Sequence, residues 1–249
     1  MKVAVLIPSY NPGSLLNKTV QGVLKEWPDV LVVIDGSTDG SDAGLEELSN
    51  SLLVHRLPEN MGKGAAVLEG INLLARKGYT HALTMDADCQ HPPASIKEFM
   101  AAGERHPEAL VLGEPVFGED APSLRVQGRK VSNAWANLET LWWGIHDSLF
   151  GMRLYPIEPL QEIFASTRGG RRFDFEPEIA VRFCWKGIPV VNIKTPVRYL
   201  SEEEGGVSQF RYLRDNTLLT WMHLRLFLGF LIRLPILLFR SSNPLKNDV

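Results

Sequence analysis

Asp86 and Asp88 stand two positions apart where an apolar run ends, in the stretch THALTMDADCQHPPASIKEF over residues 80–99. At a strand end, alternation would put both carboxylates on one side, roughly 7 Å apart at about 3.3 Å per residue. Two like charges at that separation repel by roughly 2 kcal/mol at an effective dielectric near 20. Aspartate also serves as a helix cap, but Asn or Ser would do that without the repulsion. The pair therefore calls for a cation. A hard divalent ion, Mg2+ or Mn2+, takes oxygen ligands and bridges carboxylates to phosphates. The pair thus predicts a diphosphate ligand, with Gln90 and His91 near enough in sequence to support the metal shell.

The elements that must hold this pair alternate. Residues 3–7, 30–34, 52–56 and 82–85 read as short buried strands, with 110–112 as a fifth. Residues 14–25, about 41–48, 64–76 and 93–105 read as helices, the last opened by proline in its first turn. Such alternation predicts a mostly parallel sheet flanked by helices. In such sheets ligands sit beyond the carboxyl ends of the strands. The second half is less regular. Residues 114–129 read as a mobile Pro/Gly/charge-rich loop, 149–155 as extended, 176–185 as helical and 190–193 as extended. Residues 208–240 form a long apolar helical stretch.

Each of the first four strands ends in an informative turn: IPSYNP, VIDGSTDGS, PENMGKGAA and MDADCQHPP. Each alone reads as ordinary turn chemistry. Together, on one edge of a parallel sheet, they would face a common crevice. With GMRLY, FDFEPEI and PVRY followed by GGVSQFR, this ordered set resembles the family 2 glycosyltransferases of the GT-A fold, especially dolichyl- and polyprenyl-phosphate sugar synthases. The motifs span about residues 3–212. The resemblance implies a GT-A (Rossmann-like) α/β domain over residues 1–212 and a C-terminal apolar, basic helical segment over 213–249.

The resemblance also implies roles. Pro8 and Tyr10 would line the nucleotide base and Asp35 the nucleoside pocket. Lys63 would lie near the nucleotide, with Gly62 and Gly64 allowing close backbone approach. Asp86, Asp88 and Gln90 would hold the metal, and Arg153 and Arg198 would face phosphate groups. Ile34, Pro12 and Ser208-Gln209 depart from the usual family pattern, which leaves the base and sugar open. Family members invert the anomeric centre in one displacement. A lipid-phosphate acceptor would need no strong base, whereas a hydroxyl acceptor would need a carboxylate within reach. Asp147 is the first candidate base and Glu176 the second.

Other chemistries find less support. There is no HExxH, no GxSxG and no Walker spacing around GKG. A sugar nucleotidyltransferase would need an arginine-containing Gly-rich loop after the first strand, which IPSYNPGSLL lacks. A non-catalytic nucleotide-sugar-binding or membrane-associated module would have little reason to keep Asp86 and Asp88 along with Arg153. A net charge of −3 gives no general affinity for nucleic acid. Cys89 and Cys184 match no metal or redox spacing and read as reduced thiols of a cytosolic protein. The run over residues 3–8 is too short for a signal peptide.

The tail carries its own expectation. Its longest uninterrupted apolar run, 226–232, falls short of the roughly 20 residues of a spanning helix. Arg225, Arg233 and Arg240 punctuate it, with Trp221, Phe227 and Phe230 beside them. From residue 205 on, basic residues exceed acidic ones by four. These features predict an interfacial helix on anionic headgroups, placing the protein peripherally on the cytoplasmic face of a membrane. The expected partners are a nucleotide-diphosphate sugar donor, a lipid-linked acceptor and the membrane surface. A homo-oligomer is the alternative use of the apolar face.

Overall fold

The computed structural model describes residues 1–118, 123–167, 169–200 and 211–245. Its centre is a seven-stranded sheet in the order β3-β2-β1-β4-β6-β5-β7. The strands are β1 (Val3–Ser9), β2 (Val30–Asp35), β3 (Leu53–Leu57), β4 (His81–Thr84), β5 (Leu110–Phe117), β6 (Arg153–Pro156) and β7 (Val190–Val197). Only β6 runs against its neighbours, pairing antiparallel with both β4 and β5. The carboxyl ends of β1 to β4 therefore share one edge.

β1 is buried along its whole length, as expected of a central parallel strand covered on both faces. Ala4 and Leu6 enter one core, which includes Ala66, Val67, Ile179 and Phe183. Val3, Val5 and Ile7 enter the other, with Leu16, Val20 and Phe99. Helices α1 (Leu15–Glu26) and α3 (Ile96–Arg105) cover the second face. Helices α2 (Lys63–Arg76), α5 (Ile157–Ser166) and α6 (Phe175–Trp185) cover the first.

The structure departs from the sequence reading in several places. The helix expected over 41–48 is only a 3-10 turn, Leu45–Glu47, because Gly44 adopts φ +73° just before it. Residues 114–129 are not a loop where described: β5 continues to Phe117 along β7, and α4 (Ser123–Thr140) has begun by residue 123. The buried face of α4 is Ser132, Ala136, Glu139 and Thr140, so its periodicity carries no hydropathy signal. α5 was equally unforeseen.

The tail forms α7 (Tyr212–Leu238). By length and composition alone, residues 213–238 reach the threshold for a helix that could cross a membrane. One face of α7 packs on α4 and α6 and places Met222 and Leu226 in the first core. The arginines belong to that union rather than to the outside. Arg225 pairs with buried Glu178 at 3.1 Å. Arg233 lies 4.5 Å over the Trp185 ring, and Arg240 lies 3.6 Å over Trp143 and donates to Thr140 O and Cys184 O. The opposite face is apolar and exposed, including Trp221, Leu228, Ile232, Ile236 and Phe239.

Candidate active site

The first two turns are laced together. Asn11, at φ +46°, donates its N–H to Ser37 Oγ (3.0 Å) and accepts the Thr38 N–H on Oδ1 (2.8 Å). Asp39 accepts the Gly13 N–H at 2.8 Å. Burial opposes ionisation of Asp39, but hydrogen bonds from Ser41 and the Gly13 N–H outweigh it and hold the carboxyl below its usual value. Pro8 is buried within β1, and Tyr10 stands exposed just beyond it. Asp35, at the end of β2, is buried, and its two oxygens accept the Met61 and Gly62 N–H groups at 2.7 and 2.8 Å. The second turn thereby fixes the third.

Gly62 and Gly64 permit a close approach, though to the chain itself. Gly62 has φ +99°, and a Cβ on Gly64 would lie 2.0 Å from Gly170 O. The 169–172 segment therefore lies directly on the start of α2, where Ala65 N–H donates to Arg171 O. This contact aims Lys63 inward. Its ammonium is 2.6 Å from Asp86 Oδ1 and also pairs with Glu176 Oε1. Burial disfavours the Lys63 charge, yet Asp86 and Glu176 overcome it and raise the ammonium above its normal range.

β4 stops at Thr84, so Asp86 and Asp88 lie in the turn rather than on strand positions. The two carboxyls are electrostatically unequal. Burial pushes Asp86 up, but Lys63, His91 and Arg153 pull it below its usual value. Asp88 is pushed up to about 6, first by burial and then by the charge of Asp86, against a 3.1 Å hydrogen bond from the Gln90 N–H. His91 is pulled down to about 4, mainly by burial. Its neutral Nδ1 accepts the Asp86 N–H at 3.2 Å, and its ring meets Phe150 edge-on at 4.6 Å. Cys89 has φ +60° and turns its thiol to Thr19 Oγ1 (3.2 Å) and Leu15 O, away from the carboxylates.

The loop before β6 closes the site from the other side. A Cβ on Gly151 would lie 2.6 Å from Asp86 Oδ2 and 2.9 Å from Lys63 Nζ. Arg153 is fully buried and spends its guanidinium on the carbonyls of Phe150, Glu176 and Ser148, at 2.6, 2.6 and 2.7 Å. Asp147 Oδ1 accepts from Arg129 (2.6 Å), Leu149 N–H (2.9 Å) and Phe150 N–H (2.7 Å), and Oδ2 accepts from Asn133 (3.2 Å). Arg198, exposed beyond β7, donates its N–H to Gln90 O at 3.3 Å. With Gln90, Lys18, Thr19 and Pro93 it lines a cavity of about 290 Å³.

Lys63, Asp86, Arg153 and Glu176 thus form one cluster, with Asp88, Gln90 and Arg198 beside it and Pro8, Tyr10 and Asp35 along the same edge. Asp147 is drawn into the scaffold of the loop. Gly151, Arg129 and Asn133 were not singled out from sequence. Gly151 sits inside the GMRLY motif, where its missing side chain was the available signal. Among the described residues, no group of three or more His, Cys, Asp or Glu side chains could hold a metal. The carboxylate donor set suits Mg2+ or Mn2+ only if phosphate oxygens and water complete the shell, which is how such ions commonly bind. The raised Asp88 carboxyl is the group a cation would relieve.

The fold is that of a GT-A glycosyltransferase. The sequence profile of Glycosyl transferase family 2 matches residues 4–164, and the chain belongs to that family. It is 31% identical over 217 residues to polyprenol monophosphomannose synthase of Mycolicibacterium smegmatis, covering 84% of this chain and 80% of that one. Undecaprenyl-phosphate 4-deoxy-4-formamido-L-arabinose transferase of Proteus mirabilis is 33% identical over 113 residues, covering 41% and 34%. Among solved structures, glucosyl-3-phosphoglycerate synthase from Mycobacterium tuberculosis, in complex with Mn2+, UDP and glucosyl-3-phosphoglycerate, aligns with a TM-score of 0.63. That alignment is 14% identical and covers 92% and 79% of the two chains.

The packing of Gly151 yields a direct test. Gly151→Ala should leave circular dichroism close to wild type, because the atoms nearest the added methyl are the ends of the Asp86 and Lys63 side chains. It should weaken Mn2+-dependent nucleoside diphosphate binding by about 10-fold or more, the usual scale for disturbing groups that orient metal ligands. Wild-type affinity by calorimetry would refute this placement.

Proposed function

We propose that this glycosyltransferase moves a sugar from a nucleotide-sugar donor to a lipid-linked acceptor, with inversion, in a reaction dependent on Mg2+ or Mn2+. The observation that carries the reading is the Asp86–Asp88 pair, set where four strand-end turns meet and braced by Lys63, Glu176 and Gly151. Relatives support this reading: one is named a polyprenol monophosphomannose synthase, another an undecaprenyl-phosphate 4-deoxy-4-formamido-L-arabinose transferase, and a fold neighbour was solved in complex with Mn2+ and UDP.

In this reading Pro8, Tyr10 and Asp35 receive the nucleoside, and Asp86, Asp88 and Gln90 would hold the metal. When bound, the ion would act as a Lewis acid on the leaving diphosphate. Lys63 keeps Asp86 ionised and oriented. Arg153 locks the loop that carries Gly151 and adds positive charge behind Asp86. Arg198 borders the cavity beside Gln90, where an acceptor phosphate would be attracted.

The two candidate bases favour one acceptor class. Asp147 already accepts four hydrogen bonds, and Glu176 is held by Lys63. Neither is poised to take a proton from a hydroxyl. A polyprenyl phosphate, anionic at neutral pH, needs no base and suits the site better than a glycolipid hydroxyl.

Residues 213–249 then serve as the membrane segment of a GT-A domain over 1–212, peripheral on the cytoplasmic face. Because the α7 arginines engage the domain, attachment rests on the outward apolar face rather than on headgroup charge.

A panel of UDP-, GDP- and CMP-sugars with Mn2+ should give transfer or hydrolysis from one base class. Asp88→Asn should remove metal-dependent donor binding while the fold persists. Unchanged Mn2+-dependent binding in that variant would overturn the metal assignment. On vesicles, Ile232→Glu with Phe239→Glu should weaken partitioning on the order of 100-fold, from two apolar side chains lost. Unchanged partitioning would refute membrane docking through this face, and a dimer broken by the same pair would assign the face to a second copy.

A further inference from the structure

A chain of buried polar groups runs from α7 to the loop over the carboxylates. His223 Nδ1 faces both Glu139 oxygens, at 3.1 and 3.2 Å, and its Nε2 lies 3.1 Å from Ser132 Oγ. Ser132 Oγ is 3.1 Å from Ser148 Oγ. Every member is buried, with Glu139 and Ser148 wholly excluded from solvent. An order of carboxylate, imidazole and hydroxyl also serves nucleophilic hydrolases. Here, however, Ser132 is 5% exposed and turned to Ser148, so it meets no substrate.

The proton directions follow from the far end. Asn133 Nδ2 donates to His146 O and Asp147 Oδ2, both at 3.2 Å, which leaves Oδ1 facing Ser148. Oδ1 accepts both the Ser148 N–H and the Ser148 hydroxyl at 2.8 Å. With that proton committed, Ser148 Oγ accepts from Ser132, and Ser132 Oγ accepts from His223 Nε2–H. The Nδ1 edge of His223 is then left facing the Glu139 carboxylate.

Ser148 is also the carbonyl that receives Arg153 Nη2, and the next two N–H groups bind Asp147. Gly151 O in turn accepts the Thr84 hydroxyl at 2.7 Å. The backbone pressed against Asp86 and Lys63 is thus set from both ends.

We propose that His223 and Ser132 are positioning residues of the transfer site, through which α7 fixes the 147–153 loop and so the seats of Asp86 and Lys63. This rests on the reading of that site as the place of sugar transfer. The relay makes the C-terminal helix a support of the loop, and a change in α7 packing is felt at the carboxylates.

Hydrogen exchange on the full chain reads the loop directly, and kinetics with the active donor read the site. In His223→Leu, amides 149–153 should exchange faster while α2 and β1 keep their rates. The same variant should lose about 10-fold in kcat with donor KM unchanged. His223→Gln, whose amide N–H reaches the Ser132 oxygen, should restore both. Ser132→Ala leaves α7 packing in place and should loosen the same amides, which keeps the test decisive if His223→Leu does not fold. Wild-type loop exchange in a folded His223→Leu or Ser132→Ala chain overturns the proposal. Failure of the wild type to use any sugar nucleotide would instead remove the functional reading, while loop exchange still decides the relay.

Discussion

Three carboxylates, Asp86, Asp88 and Glu176, are gathered at one edge of the sheet, and the rest of the site answers their mutual repulsion. Lys63 lies between Asp86 and Glu176, and Arg153 adds a second positive charge behind them. These two cations leave Asp88 as the carboxyl still pushed up, to about 6. Buried like charges ionise together only when a compensating charge stands near. The protein supplies that charge for two of the three acids, and Asp88 is the one that the proposed cation would complete.

The architecture follows from holding those charges in place. Lys63 points inward because α2 begins at glycines that let the 169–172 segment rest on its first turn. Glu176 is brought in by the first turn of α6, whose backbone carbonyl also receives Arg153. The antiparallel strand β6 carries Arg153 into the sheet beside β4, directly alongside the turn of the two aspartates. Buried hydrogen bonds then extend this order outward through Asp147 and Ser148 to α4 and α7. A helix with a large exposed apolar face is in this way joined by hydrogen bonds to the loop beside Asp86.

Much of this was legible in the residues. β1 to β4 are short, apolar and bounded by Gly, Asn, Asp and Pro, so both strands and turns announced themselves. Asp86 and Asp88 stood out because their repulsion has no structural use. α4 was hidden because it buries Ser132, Ala136, Glu139 and Thr140, a face without hydropathy contrast. A sequence shows the Asp147 carboxylate but not the four donors around it. The tail arginines read as headgroup contacts because periodicity gives a face but not what lies against it. GGVSQFR falls almost wholly outside the described residues.

The central claim is that Asp88, with Asp86 beside it, receives a divalent cation shared with a diphosphate. The most direct measurement is an anomalous difference map from crystals grown with Mn2+ and a nucleoside diphosphate. A peak about 2.1 Å from an Asp88 carboxylate oxygen and bridging to the diphosphate is the expected result. A bound diphosphate with no metal at Asp88, or a metal held by other residues, would contradict the account.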